Sequence, residues 1–201
     1  MPAPPAALMP VRLDTGERRG PAILSGPESA RPAAVLVLIA PASAGDPDAA
    51  ADVLLIRRVD RGGHHGGQIA FPGGRAEPED ADATETALRE AGEEVGLDPV
   101  AAGVRIAGEL ETFWIPVSDY RVTPVLGLAA RRPVVRASED EVDAIVWAPL
   151  SAFLPDAPIE IVEADVLDFR IRYGAYPIPG TQVWGATARI LGQLGAILGP
   201  G

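Results

Sequence analysis

The sequence predicts an α/β or α+β sandwich, and three observations carry that expectation. Apolar runs of strand length lie on both sides of one segment with helical period, a second helical segment closes the chain, and turn-forming residues separate these elements. "AAVLVLIA" (33–40) is a continuous apolar run, far short of the ~20 residues needed to cross a bilayer, and reads as a buried strand. "PASAGDPDAA" (41–50) has the Gly, Pro and Asp of a loop, and "DVLLIRR" (52–58) is a second strand. The glycine-rich "DRGGHHGG" (60–67) is a mobile surface loop, although His64 and His65 also suit contact with phosphate or a metal. "QIAFPGG" (68–74) is a short strand ending in a tight turn. From Ala83 to Val95 the period changes: Ala87, Leu88, Ala91 and Val95 recur at helical steps, and acids at 79–85 suit the helix start. Gly96 is placed for a left-handed C-cap, after which Leu97 folds back. Further strands are expected at 103–111, 121–129, 142–148 and 168–173, with a final helix at 185–198. "ARRPVVR" (130–136) is expected to face solvent, and Trp114, Tyr120 and Trp184 to be core anchors. Residues 1–32 form a Pro-rich N-terminal segment, partly flexible, whose first ten residues should be loose, and 33–201 form the folded domain.

Composition narrows the function. The 201 residues, 47% hydrophobic, suffice for one well-filled domain. A net charge of −11 argues against binding a nucleic acid polymer, yet allows a small phosphorylated ligand if a divalent cation screens it. Cysteine is absent, which removes disulfide and thiolate chemistry; all 17 basic residues are arginine, so no lysine nucleophile or Schiff base exists. With no basic, apolar, cleavable leader and no membrane segment, the expected compartment is the cytoplasm.

"REAGEEVG" (89–96) sets Glu93 and Glu94 each within about 60° of helical arc from Glu90, where like charges weaken an isolated helix. A solvated acidic face is the ordinary reading of such a run. Gly96 closing the helix, Arg89 preceding the acids and "FPGG" upstream favour another: carboxylates from adjacent turns and a main-chain carbonyl offering oxygens to Mg²⁺ or Mn²⁺.

These residues also carry a family resemblance. "GGRAEPEDADATETALREAGEEVGL" (73–97) resembles the Nudix box, G-x5-E-x7-R-E-U-x-E-E-x-G-U, with U a bulky aliphatic residue. Arg89, Glu90, Glu93, Glu94, Gly96 and Leu97 fall in place, Ala91 fills the first U position, and Asp80 stands for the first Glu at a spacing stretched by one residue. The resemblance implies a Nudix-type α/β/α sandwich with a mixed central sheet and a loop–helix–loop metal site. It implies metal-dependent hydrolysis of a nucleoside diphosphate linked to another moiety, with Glu90 and Glu94 as principal metal ligands, Glu93 assisting the metals or the water, Arg89 holding the acids and Gly74 offering its carbonyl.

The substrate must come from the flanks. "LLIRRVDRGGHHGGQIAFPGG" (54–74) is similar to the signature of the coenzyme A pyrophosphatase branch, with Leu54, Leu55, Arg58, Gly67 and Phe71 to Gly74 in register. "YRVTPVLGL", "ASEDEV" and "VWGATARIL" extend the likeness over roughly 33–195. It implies cleavage of coenzyme A to 3′,5′-ADP and 4′-phosphopantetheine. Gly63 stands at the signature's second Arg, and Arg61 is the candidate replacement beside Arg58 for holding phosphate. Another nucleoside diphosphate derivative is the alternative, and a Nudix-fold nucleotide sensor a third reading. "SEDE" (138–141) offers Glu139 or Glu141 as general base, against the plainer reading of a solvated charge run. The expected partner is a small nucleotide substrate, and a homodimer is compatible with the sequence.

Overall fold

The computed structural model describes residues 1–17, 26–43, 50–60, 66–166 and 169–199. In chain order the strands are β1 (Val11–Arg12), β2 (Arg31–Pro41), β3 (Ala51–Arg58), β4 (Ile69–Ala70), β5 (Gly73–Arg75), β6 (Val104–Glu109), β7 (Phe113–Ile115), β8 (Tyr120–Ala129), β9 (Val142–Pro149), β10 (Glu160–Val166), β11 (Phe169–Ile178) and β12 (Thr181–Val183). The helices are α1 (Ala83–Val95), the single turn α2 (Pro99–Ala102) and α3 (Gly185–Leu198). The chain divides into two compact units, Gly26–Leu150 and Met1–Ser25 with Ser151–Gly201; the sequence-based boundary was placed at residue 32.

Gly26–Leu150 is built on a sheet of order β4-β3-β2-β8-β6, with β9 on β3, β5 on β2 and β7 on β8. β2 runs parallel to β8 and antiparallel to β3 and β5, so the sheet is mixed and the fold α/β, as the sequence predicts. Leu36, Leu38 and Ala40 of β2 share a core with Leu54 and Ile56 of β3 and Ala87, Ala91 and Val95 of α1. Val37, Val53 and Leu55, on the alternate face, are also fully buried. Burial on both faces is why these strands read as unbroken apolar runs. Alanine at 87 and 91 gives α1 a low-relief face, so its backbone lies close to the sheet.

The segment 130–136 departs from its expected exposure at Arg132 and at Val135, which packs against the core. Val134 is 95% exposed, but Arg132 donates to Pro41 O, Ala42 O and Asp52 Oδ2 and lies 4.2 Å above the Trp147 ring. It ties together the ends of β2, β3 and β9.

In Met1–Ser25 with Ser151–Gly201, β11 pairs with β1, β10 and β12. α3 buries Ile190, Leu191 and Leu194, and Trp184 stacks on Tyr173 at 4.8 Å. The first ten residues, expected to be loose, contain a 3-10 turn at Ala6–Leu8 whose Leu8 is wholly buried. Among the described residues no helix is long and apolar enough to cross a membrane.

Candidate active site

α1 is held at both ends by side chains and backbone that its sequence supplies. At the start, Asp82 Oδ1 accepts from Glu85 N (2.9 Å) while Glu85 Oε2 accepts from Ala81 N (2.7 Å), a reciprocal cap. At the end, Gly96 is left-handed (φ 62°) and Leu97 N reaches back to Ala91 O at 3.2 Å. The last carbonyls would otherwise be orphaned. Glu94 O takes Ser138 N and Val95 O takes Arg136 N, each at 2.8 Å. The segment carrying Glu139 and Glu141 is thereby fastened to the acidic turn of the helix.

The glycine turn approaches the same acids from β5. Pro72 O accepts from Leu36 N and Pro32 O accepts from Ala76 N, so residues 72, 74 and 76 direct their backbone groups at β2. Gly73 and Arg75 direct theirs outward: Gly73 N donates to Glu94 Oε2 at 2.9 Å, and Arg75 O accepts from Arg89 Nη2 at 3.0 Å. This corrects the expectation for Gly74. Its carbonyl is turned into the sheet, and the outward carbonyl beside the acids is that of Gly73.

The two glycines are required for different reasons. Gly73 has φ 153°, and a Cβ there would strike Ala34 O and the Val35 backbone. A Cβ on Gly74 would lie 2.5 Å from the Glu90 carboxylate, the movable end of a side chain. Gly73→Ala is therefore expected to cost about 3 kcal/mol or more of stability in denaturant titration. Gly74→Ala should cost less stability and act on turnover instead, by pushing Glu90 aside.

Glu94 is 1% exposed, yet among the described residues its carboxylate has one hydrogen bond, from Gly73, and an ion pair with Arg58 at 3.7 Å. Burial pushes its carboxyl up to about 7, against the lowering effects of Gly73 N–H and Arg58, with Glu90 and Glu141 adding to the rise. Burial also raises Glu90, partly offset by Arg89, and Glu93 and Glu141 again add. Glu141 thus lies within electrostatic reach of both acids, buried Glu94 and half-buried Glu90. Glu139, exposed in the same turn, is not among the main charges acting on either. Glu93 turns outward, its side chain 62% exposed, toward Arg89.

Arg89 is the hub of the cluster. It grips Asp80 with two bonds of 3.1 Å and reaches Glu90 Oε1 at 3.1 Å and Glu93 at 3.4 Å. Asp80 also accepts from Glu77 N and the fully buried Thr86 hydroxyl, each at 2.9 Å. The guanidinium and these donors hold Asp80 well below the usual carboxylate range and raise Arg89 further. Asp80 is an anchor for the arginine, a role the sequence reading did not assign; its place at the box's first acid was the available signal. Arg61, Gly63, His64 and His65 lie outside the described residues.

Among the described residues no three acidic or histidine side chains already converge as a metal cluster. The chemistry of the donors nevertheless fits a hard divalent cation: a buried carboxylate short of partners, a second raised carboxylate against a glycine, and an outward main-chain carbonyl.

Residues 30–168 match the NUDIX domain model, and the chain belongs to the Nudix family, hydrolases acting on phosphoric anhydrides. It is 39% identical over 144 residues to NudL of Pectobacterium atrosepticum, a Nudix hydrolase itself uncharacterised, with 71% of this chain and 72% of that protein covered. It is 42% identical over 98 residues to NudL of Yersinia enterocolitica, where the match spans about half of each protein (49%). Among solved structures it is similar to the Nudix hydrolase RenU of M. smegmatis (22% identity, TM-score 0.53, covering 94% and 95% of the two chains). A MutT protein of Methanosarcina mazei is also similar (17% identity, TM-score 0.51, covering 83% and 93%). These two likenesses concern the fold alone.

Proposed function

We propose that this Nudix hydrolase is a Mg²⁺- or Mn²⁺-dependent enzyme that cleaves coenzyme A or its derivatives to 3′,5′-ADP and 4′-phosphopantetheine in the cytoplasm. The observation carrying the metal reading is that buried Glu94 and half-buried Glu90 meet the Gly73–Gly74 turn within reach of the Glu141 charge. Glu90, Glu94 and the Gly73 carbonyl would hold the ion, with Glu93 at the exposed side. When bound, the ion polarises the anhydride and offsets charge developing on its oxygens. Arg89 holds Glu90 and Glu93 in place, and Glu141 takes the proton of the water that attacks phosphorus as the bridging P–O bond breaks. Arg58 and Arg61 are assigned to substrate phosphate.

The coenzyme A assignment rests on Leu54, Leu55, Arg58, Gly67 and Phe71–Gly74 standing in the register of that branch's signature. The second reading, hydrolysis of a dinucleotide or ADP-sugar, is favoured by Gly63 at the signature's second Arg. Incubation with coenzyme A, ADP-ribose, NADH and diadenosine polyphosphates in Mg²⁺ or Mn²⁺, with products separated by chromatography, decides between them. Release of 3′,5′-ADP from coenzyme A in preference to cleavage of the others is expected; cleavage of only the others moves the assignment, and no cleavage of any favours a sensor. Glu141→Gln should slow turnover about 10²-fold with Mn²⁺ affinity retained, while Glu139→Gln stays near wild type. The opposite ranking would transfer the base to Glu139.

A further inference from the structure

Arg58 stands at the end of β3 with its backbone pinned: Arg58 N donates to Gln68 O (3.1 Å) and Arg58 O accepts from Gly67 N (3.0 Å). Its side chain belongs to the sheet face shared by Leu54 and Ile56, the face covered by α1. It ends 3.7 Å from Glu94 Oε1, beyond hydrogen-bonding distance, and is 39% exposed. The other carboxylate oxygen, Oε2, is taken by Gly73 N. Glu94 is thus a buried carboxyl group with one oxygen fixed by the backbone and the other facing a cation that is near but not bonded to it.

We infer that Arg58 is the resident counter-ion of the metal site, occupying the charge position of the divalent cation at Glu94 Oε1 and yielding it when the metal binds. The inference rests on the metal-hydrolase reading above and adds to it a competition. A firmly bonded guanidinium would block the oxygen, and a remote one would leave a buried carboxylate without compensating charge. A long, half-exposed side chain on a pinned backbone avoids both. Its head can move toward solvent, where the phosphate of an incoming substrate lies, without any change in β3. The assignment of Arg58 to phosphate and its observed pairing with Glu94 are then two positions of one side chain.

This predicts opposite effects on metal and on substrate. Discounted for Arg58's exposure to solvent, removing its charge should tighten Mn²⁺ binding to the substrate-free protein about tenfold. The same change should raise KM for the cleaved substrate and lower the melting temperature of the metal-free protein. The test is a calorimetric or paramagnetic Mn²⁺ titration of wild type, Arg58→Gln and Arg58→Lys, beside KM and thermal melts with and without metal. Arg58→Lys keeps the charge, guards against a folding defect in the first variant, and should fall between it and wild type. Tighter Mn²⁺ binding with raised KM supports the inference. Equal or weaker Mn²⁺ binding by both variants overturns it while leaving the hydrolase reading intact. If wild type binds no Mn²⁺ at all, the metal reading fails and the inference with it.

Discussion

Glu94→Gln is expected to lower turnover at least about 10³-fold and, in the absence of metal, to raise the melting temperature at pH 8. The two effects have one cause, a carboxylate placed where folding alone does not favour its charge. In the native protein burial holds the Glu94 carboxyl at about 7, above its ordinary 4.5. Between those values the native state keeps a proton that the unfolded chain has released. The native state's advantage is therefore full below about pH 4.5, declines as pH rises through about 7, and is gone above it. The gap corresponds to roughly 3 kcal/mol, an upper figure because the metal-free site can relax. For a chain of this size that is on the order of 6–10 °C in melting temperature. Glutamine keeps the shape and can still accept from Gly73 N, without the charge, so the variant's stability should be flatter across pH 5–8 than wild type. Saturating Mn²⁺ should restore wild-type stability at pH 8 and leave Glu94→Gln unmoved. Melting curves of the two proteins that run parallel across that range, with and without metal, would show that Glu94 carries no such stored cost.

Much of this arrangement was legible in the sequence, because the features concerned are local. α1 follows from period, cap residues and Gly96, all within a few residues of one another. β2, β3 and β8 follow from long apolar runs whose burial is the reason for their composition. The elements left unread are short or mixed in character. β7 has three residues and α2 a single turn, too little for periodicity, although Asp98 caps it and Pro99 opens it. β10, "EIVEADV", interrupts its apolar residues with acids; Glu163 is satisfied by Arg170 and Arg172 of the neighbouring strand, which a linear reading cannot anticipate. At the site, the box named the acids but not their directions. Which glycine turns its carbonyl outward depends on the alternation of β5 against β2, and the nearness of the Glu141 charge to Glu90 and Glu94 depends on how the 136–142 segment hangs from the carbonyls of α1. Both are properties of pairing between distant segments. The docking of Leu8 was missed for the opposite reason: proline-rich composition suggested looseness, and one buried side chain sufficed to anchor the turn.

Arg89→Ala should lower turnover about 10²- to 10³-fold although Arg89 is not assigned to substrate or metal. Its guanidinium satisfies Asp80 bidentately, caps the outward carbonyl of Arg75 and reaches Glu90 and Glu93, so one planar group sets the spacing between the glycine turn and the acidic face of α1. Removing it leaves Asp80, whose side chain is 6% exposed, with Glu77 N and the Thr86 hydroxyl as its donors among the described residues. It also leaves Glu90 beside Glu93 and Glu141 without the positive charge that offsets them. The loop carrying Asp80 should then loosen from α1, and Glu90 should move away from the glycine turn. Arg89→Lys should rescue little, since an ammonium cannot form the paired bonds to Asp80 while also reaching the Arg75 carbonyl and Glu90. A positioning role and a plain loss of folding are separable by measurement. Asp80→Asn, which keeps shape but removes the anchor's charge, should give a smaller fall in kcat with KM nearly constant, and Mn²⁺ affinity should fall in the same order across the three variants. If Arg89→Lys restores wild-type kcat, the fork geometry is irrelevant and Arg89 acts only through its charge.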